Sequence, residues 1–296
     1  MRDSYVDVAV VGPGNIGTDL IYKLTKRSRR MRLRLVAGIY ENSPGLLRAR
    51  DLGIETSSRG IEELLSNDSI RIVFDASSAH AHAAAAPRLR EAGKIAVDLT
   101  PAAVGPYVCP AVNLLGKVDE PNINLITCGG QATIPIVYAV SRVVPVNYAE
   151  IVAVISSKSA GSGTRANIDE FTRTTAEGLV RVGGAAAGKA IILLNPADPP
   201  MIMNNTIYLA VDDYHKARVR DSVAEMVESV QKYVPGYRLK IEPSYDGERI
   251  VVMLQVEGAG DYLPTYAGNL DIETSAALAI GEEVAEHLLS GGEGGL

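Results

Sequence analysis

The chain has 296 residues, room for one large or two modest domains, and its 47% hydrophobic and 22% charged residues exclude a disordered or staple-dependent protein. Two cysteines, Cys109 and Cys128, exclude a disulfide framework, and a net charge of −6 argues against wholesale nucleic-acid binding, which wants a basic face. No apolar run approaches the ~18–20 residues of a membrane span, and an N-terminus that carries Asp3 and Asp7 and runs straight into a strand argues against a signal peptide, so a cytoplasmic protein with reduced thiols is expected.

Through the first 130 residues strand and helix patterns alternate. Strands are expected at Tyr5–Val11, Leu33–Tyr40, Ile70–Ala76, Lys94–Leu99 and Asn122–Thr127. Between them, Asn15–Lys26 places Ile16, Leu20, Ile21 and Leu24 on one helical face, and Gly45–Leu52, Ile61–Leu65 and the Ala-rich Ala79–Ala92 also read as helices. The basic run Lys26–Arg34 reads as a solvated helix end leading into a strand. Alternation of this kind predicts α/β architecture, a parallel sheet with helices on both faces. The second half differs. Strands at Ala149–Ser157, Ala190–Leu194, Thr206–Val211, Tyr237–Glu242 and Arg249–Glu257, crossed by helices Ile168–Val182 and Asp213–Tyr233, predict an α+β domain with a mostly antiparallel sheet. The final helix, about Leu270–Leu289, is expected to pack back on the first domain. The expected division is 1–130, joined by helix 269–290, and 131–268.

The first chemical signal is Gly12-Pro13-Gly14-Asn15-Ile16-Gly17, a GxGxxG between a strand and a helix, the context of a Rossmann dinucleotide site. The first Gly makes the turn, the second admits a pyrophosphate, and the third lets helix and strand pack closely. The helix N-terminus supplies free N–H groups for the phosphates. An acid is expected after the second strand to hold the ribose, and Glu41 is the candidate, although Tyr40 sits beside it. Arg48 and Arg50 would suit a 2′-phosphate, but the pattern favours NAD.

The second signal is Ile126-Thr127-Cys128-Gly129-Gly130-Gln131-Ala132-Thr133-Ile134-Pro135. Cys128 ends a predicted strand just before a helix, where a thiol is acidified and the thiolate is a nucleophile. The two glycines are expected to leave room for a substrate, the N–H groups of Gly129–Gln131 to hold an oxyanion, and Pro135 to sit in the first helical turn. Cys109, in Tyr107-Val108-Cys109-Pro110, reads as packing. A dinucleotide beside a nucleophilic thiol defines a reaction class: thiolate addition to an aldehyde, hydride transfer, and acyl transfer from the thioester to a second nucleophile. His80 and His82 follow a strand end, where they would either approach the cofactor or sit on a helix surface. Their spacing does not suit zinc, and no metal is expected.

Cys128–Pro135, Asp98-Leu99-Thr100-Pro101-Ala102-Ala103, Ser156–Phe171 and Tyr262–Ile272 together resemble the CoA-acylating acetaldehyde dehydrogenases, in order and over nearly the whole chain. The resemblance implies oxidation of acetaldehyde or propanal by NAD to the acyl-CoA, within aromatic hydrocarbon catabolism. It also implies a homodimer and a complex with 4-hydroxy-2-oxovalerate aldolase, and a semialdehyde-dehydrogenase-like fold whose α+β domain supports catalysis and dimerisation. By position, Cys128 is the acyl-thioester nucleophile. Pro13 to Ile16 form the dinucleotide loop, with Pro13 where Ser is usual. Ser159, Ala160, Gly161, Ser162, Gly163, Thr164, Arg165, Ala166 and Asn167 form a second cofactor loop, Asn167 and Ile168 lie near a tunnel exit, and Asn269 contacts the cofactor. Without the resemblance Asn269 reads as a helix N-cap. Asn205, in Met203-Asn204-Asn205-Thr206, stands where the family often has an Asp near the nucleophile. An amide cannot accept a proton at neutral pH, so the expected role is to orient Cys128 or a water. The region between Ile241 and Arg249 is shorter than is common in the family. Two other readings stay open: a phosphate-dependent semialdehyde-type enzyme, which would need a basic pair such as Arg142 and Arg165 beside Cys128, and a non-catalytic dinucleotide-binding partner of an aldolase.

Overall fold

A computed structural model describes residues 5–161, 165 and 167–291. The chain divides into two units: one holds the chain up to Val108, Leu114–Leu125 and the chain from Thr274, the other Cys109–Asn113 and Ile126–Glu273. Cys128 therefore lies inside the second unit, three residues past the division.

The first unit is a six-stranded parallel sheet. Its strands are β1 (Val6–Val11), β2 (Met31–Ala37), β3 (Glu55–Ser57), β4 (Ile72–Asp75), β5 (Ile95–Asp98) and β6 (Asn122–Asn124), in the order β3-β2-β1-β4-β5-β6. That is the doubly wound dinucleotide-binding order. Val8, Ala9, Val10, Ile72, Val73, Phe74, Ala96 and Val97 are fully buried, because the sheet is covered on both faces and alternation gives way to continuous apolar runs. Helices α1 (Asn15–Arg27), α2 (Pro44–Asp51), α3 (Ile61–Leu65) and α4 (Ala79–Glu91) connect the strands. The α2 start is written in the sequence: the Ser43 side chain accepts from the Leu46 N–H and Pro44 occupies the first turn. Strand β2 ends three residues before Tyr40, because Gly38 and the residues after it turn outward and leave Ile39 and Tyr40 exposed.

The second unit contains α5 (Pro110–Asn113), α6 (Cys128–Ser141), β7 (Tyr148–Ser156), α7 (Ile168–Arg181), β8 (Gly188–Asn195), β9 (Met203–Ala210), α8 (Lys216–Gln231), β10 (Tyr237–Leu239), β11 (Ser244–Asp246) and β12 (Arg249–Val256). The sheet order is β10-β12-β9-β7-β8, with β11 on β12, and only β7 and β8 run parallel. Strict alternation gives the sheet two different faces. Ala149, Ile151, Ala153, Ile207, Leu209, Ile250, Val252 and Leu254 are buried beneath helices, while Val152, Val154, Ile191, Val251 and Met253 on the other face are only partly covered and Leu193 is exposed.

The last helix, α9 (Gly268–Leu289), has Gly268 to Glu273 in the second unit and the rest in the first. In the first unit it is held by polar contacts: the Thr274 hydroxyl donates to Asp19 Oδ2 at 2.6 Å, and that carboxylate also takes the fully buried Lys23 ammonium at 2.6 Å. Gly281 permits close approach, since a Cβ there would fall 2.5 Å from Phe74 Cζ.

Candidate active site

In the first unit, the loop between β1 and α1 has the geometry the glycine pattern predicts. Gly12 has φ +81°, and a Cβ on it would strike the Ser77 N–H at 2.6 Å. Gly17 lets α1 pass the turn, because a Cβ there would fall 2.3 Å from the Gly12 carbonyl. Gly14 is different: nothing lies within 4 Å of the Cβ it lacks. Packing does not require a glycine at 14, so the open space there suits a ligand's approach. Asn15 and Ile16 form the first turn of α1, whose N-cap, Gly14, supplies no side-chain hydrogen bond, and the first turn holds no acid. Such a terminus favours an anion. Pro13 sits against the start of α2, where Gly45 is needed because a Cβ would fall 2.1 Å from the Pro13 carbonyl. Glu41 is exposed in the turn after β2.

In the second unit, Cys128 is the first residue of α6, not the end of a strand. The strand stops at Asn124 and Ile126 turns with φ +69°. Thr127 is the N-cap: its hydroxyl accepts from the Gly130 N–H at 2.9 Å and lies 2.6 Å from the Thr175 hydroxyl of α7. The Gln131 N–H goes to the Thr127 carbonyl at 2.8 Å. Two of the three N–H groups expected to hold an oxyanion are therefore committed to starting the helix. The glycines also serve packing: a Cβ on Gly129 would fall 2.6 Å from Phe171 Cζ, and one on Gly130 would be crowded by Ile126 and Thr127. Pro135 lies in the body of α6, since both glycines are helical.

The Cys128 thiol is not acidified. Burial pushes its pKa far up and the negative charge of Glu273 adds to that, against partial relief from the backbone N–H groups of Gly129 and Cys128 itself. The residue keeps a partly accessible surface, so it can be reached, but its sulfur is surrounded closely enough to favour the neutral form. Cys109 is fully buried and shifted the same way for the same two reasons.

Residues 128–264 match the family described as prokaryotic acetaldehyde dehydrogenase, dimerisation. The chain is 62% identical over 295 residues to an acetaldehyde dehydrogenase of Desulfitobacterium hafniense (strain DSM 10664 / DCB-2), covering 99% of each chain. It is 59% identical over 299 residues to one of Roseiflexus castenholzii (strain DSM 13941 / HLO8), covering 98% of each. The chain belongs to the acetaldehyde dehydrogenase family. Its fold is shared with aspartate semialdehyde dehydrogenase II of Vibrio cholerae, solved in complex with ASA, at a TM-score of 0.66 and 13% identity, covering 97% of this chain and 99% of that one.

For an acetaldehyde dehydrogenase family member, the remaining site residues divide clearly. Asn205 faces inward on β9 and Asn269 lies in the first turn of α9; each is 1% exposed, and neither side chain finds a hydrogen-bond partner among the described residues. Asn269 is inside the helix rather than its N-cap. A buried amide with no partner is costly, and a ligand is one way to satisfy it. The two asparagines share one end of the sheet: Gly268 abuts the Val256 carbonyl, Val256 pairs with Met203, and Asn205 is two residues on. In the segment expected to form a second cofactor loop, Ser159 is buried with its hydroxyl on the Ser156 carbonyl, Ala160 is buried, and Gly161 has open space at its Cβ. Arg165 donates to the carbonyls of Ala160 and Ser157, and Asn167 is the N-cap of α7. Ser162, Gly163, Thr164 and Ala166 lie outside the described residues.

One member of the basic pair that a phosphate-dependent reading would need does not lie beside Cys128. Arg142 caps the far end of α6, about 20 Å of helix from Cys128, and is bound to Ser222 and Glu225. Among the described residues no group of three or more His, Cys, Asp or Glu side chains is arranged to hold a metal, and no helix is long and apolar enough to cross a membrane.

Two features escaped the sequence reading. His82 is fully buried, not on a surface: Nδ1 is 2.8 Å from Asp75 Oδ2, and Nε2 is 2.9 Å from Asn122 Oδ1 and 3.3 Å from Asp98 Oδ2. The Asn122 amide nitrogen donates to the Val104 carbonyl, so its oxygen accepts from His82. Both ring nitrogens thus face acceptors, the arrangement of an imidazolium. Burial opposes that charge, but the Asp75 hydrogen bond and the charges of Asp98 and Asp75 outweigh it and raise the pKa. The second feature is Glu273, 3% exposed on the small-residue face of α9. Its signal was a carboxylate in the otherwise apolar and small run Ile272–Ala277.

Proposed function

We propose that this protein is an NAD-dependent, CoA-acylating dehydrogenase of a short aldehyde, acetaldehyde or propanal, working through an acyl thioester on Cys128. The observation that carries the reading is the placement of Cys128 at the first position of a capped helix, with part of its surface reachable from solvent. The names of the relatives, acetaldehyde dehydrogenase, support the same substrate.

In this reading Gly12, Pro13, Gly14, Asn15, Ile16 and Gly17 hold the pyrophosphate of NAD, which accepts the substrate's hydride when bound, and Glu41 holds a ribose. The open space at Gly14 and the acid-free start of α1 fit that group. Ser159 to Asn167 and Asn269 complete the cofactor's contacts, the Asn269 amide pairing with an amide of the cofactor. Cys128 adds to the aldehyde carbon, with the Gly129 N–H facing the developing oxyanion. Asn205 donates to the acyl oxygen or to a water beside it. CoA then takes the acyl group.

The partly covered apolar face of the second sheet is the proposed homodimer surface, in keeping with the family description. Association with an aldolase follows only from the family resemblance. Two assays test the function. NADH formation from acetaldehyde is expected to require CoA and to ignore phosphate, and Cys128→Ala is expected to abolish it. Activity retained by Cys128→Ala would sink the covalent mechanism.

A further inference from the structure

The order of the first sheet reverses between β1 and β4, and in such sheets a ligand binds outside the carboxyl ends of the strands at that point. Two loops bound the crevice there. One is the Gly12 turn after β1. The other is Ala76-Ser77-Ser78, which joins β4 to α4. The two loops touch. The Ala76 N–H donates to the Val11 carbonyl at 2.9 Å, and a Cβ on Gly12 would lie 2.6 Å from the Ser77 nitrogen and 2.7 Å from the Ala76 carbonyl oxygen. The Ala76–Ser77 peptide is therefore the floor on which the Gly12 turn rests, and where it sits fixes where that turn sits.

Asp75 fixes that peptide. Its Oδ1 accepts from the Ser77 N–H at 2.9 Å and from the Ser77 hydroxyl, and its Oδ2 lies 2.8 Å from His82 Nδ1. His82 stands one turn into α4, its own N–H on the Ser78 carbonyl at 2.9 Å, so the His82–Asp75 contact closes the connection from strand to helix on itself. The ring is held at its other edge, where Nε2 faces Asn122 Oδ1 on β6 and Asp98 Oδ2 on β5. Asp75 and His82 are buried, whereas Ser77 is exposed. A buried pair thus reaches, through one turn, a peptide at the mouth of the crevice. Apolar side chains could fill the same space at least as stably, but they could not impose one hydrogen-bonded geometry on that peptide.

We propose that His82 is a positioning residue for the dinucleotide loop: by holding Asp75 it fixes the Ala76–Ser77 peptide against Gly12 and keeps the turn shaped for a pyrophosphate. This role rests on the reading of Gly12–Gly17 as the NAD loop. The bond at Nδ1 carries the effect and the contacts at Nε2 steady the ring, so the two can be removed separately. An Asn side chain offers an amide N–H near the place of Nδ1, and a Gln side chain offers one near the place of Nε2.

The test compares His82→Asn and His82→Gln with the parent. It uses calorimetric titration of NAD without aldehyde, steady-state kinetics with acetaldehyde and CoA, and melting curves. His82→Gln is expected to weaken NAD binding and to raise the KM for NAD about tenfold, the scale of one lost hydrogen bond to a charged group. Its kcat at saturating NAD and its KM for acetaldehyde are expected to stay within about twofold of the parent. His82→Asn is expected to recover NAD affinity to within about threefold, although both variants lose the imidazolium and melt below the parent. Unchanged NAD affinity in His82→Gln overturns the proposal. So does equal weakening in both variants in step with their melting temperatures, which marks a structural role, and so does a fall in kcat larger than the rise in KM for NAD. If His82→Gln does not fold, amide exchange in the parent decides. The Ser77 N–H is expected to exchange at least tenfold more slowly than a free amide, and exchange at the free rate overturns the proposal. A parent that binds no NAD in the titration contradicts the dinucleotide reading itself and is distinguishable from all of these.

Discussion

His82 is where one residue's environment sets a measurable property of the fold. Its imidazolium is enclosed by Asp75, Asp98 and Asn122 with no exposure. Its pKa lies above the ordinary value near 6.5, so its stabilisation is complete below about pH 6.5 and is lost as pH rises through the folded value. Asp98 moves in the same sense: burial raises it to about 6, against the pull of His82, so stability falls again as its carboxyl ionises. The first unit is therefore expected to melt at a higher temperature at pH 6 than at pH 8.5. Removing one member of a buried pair costs about 3–5 kcal/mol, so His82→Ala should lower stability by that order and flatten the pH dependence. Melting curves of both proteins across this range are the check, and a pH-independent parent would refute the assignment. None of this was legible in Ala79-His80-Ala81-His82, because the partners come from β4, β5 and β6 and no local spacing announces them.

At the scale of elements, the dinucleotide loop was readable because each glycine has a local reason. The structure separates those reasons and makes them testable. Gly17→Ala forces a Cβ into the Gly12 carbonyl and should destabilise the first unit by several kcal/mol, whereas Gly14→Ala meets only open space. Gly14→Ala is expected to leave the melting temperature within about 2 °C, since an exposed substitution stays within ~0.5 kcal/mol, and to raise the KM for NAD at least tenfold. A Gly14→Ala protein with unchanged KM would remove the loop from the cofactor site. The Cys128 segment was read less well. Its glycines looked like space for a substrate, yet they admit Phe171, Ile126 and Thr127. Its N–H groups looked free, yet Thr127 uses two of them. The cap was visible as a Thr before a Cys-Gly-Gly start, but that α6 begins at Cys128 depends on Ile126 breaking the chain with positive φ, a tertiary choice forced on a β-branched residue.

For the whole molecule, fold class and family followed from alternation, the glycine fingerprint and ordered resemblance along the chain, because each is a one-dimensional pattern. The face that β7, β8, β9 and β12 turn away from their helices is likewise predicted by period-two alternation, and its apolar half needs a covering surface. Val152→Asp together with Met253→Asp, both on that face, is expected to halve the particle mass in light scattering without changing the melting of the first unit. A parent already monomeric at micromolar concentration would contradict the dimer surface. The proposed mechanism stands on Cys128 carrying the acyl group. The measurement that reaches it most directly is mass spectrometry of the intact protein and its peptides after acetaldehyde and NAD are supplied and CoA withheld. A 42 Da acetyl increment on the Cys128 peptide, about the mass of an acetyl group replacing a proton, discharged on adding CoA, is the expected result. An unmodified Cys128 alongside undiminished NADH formation would contradict the mechanism.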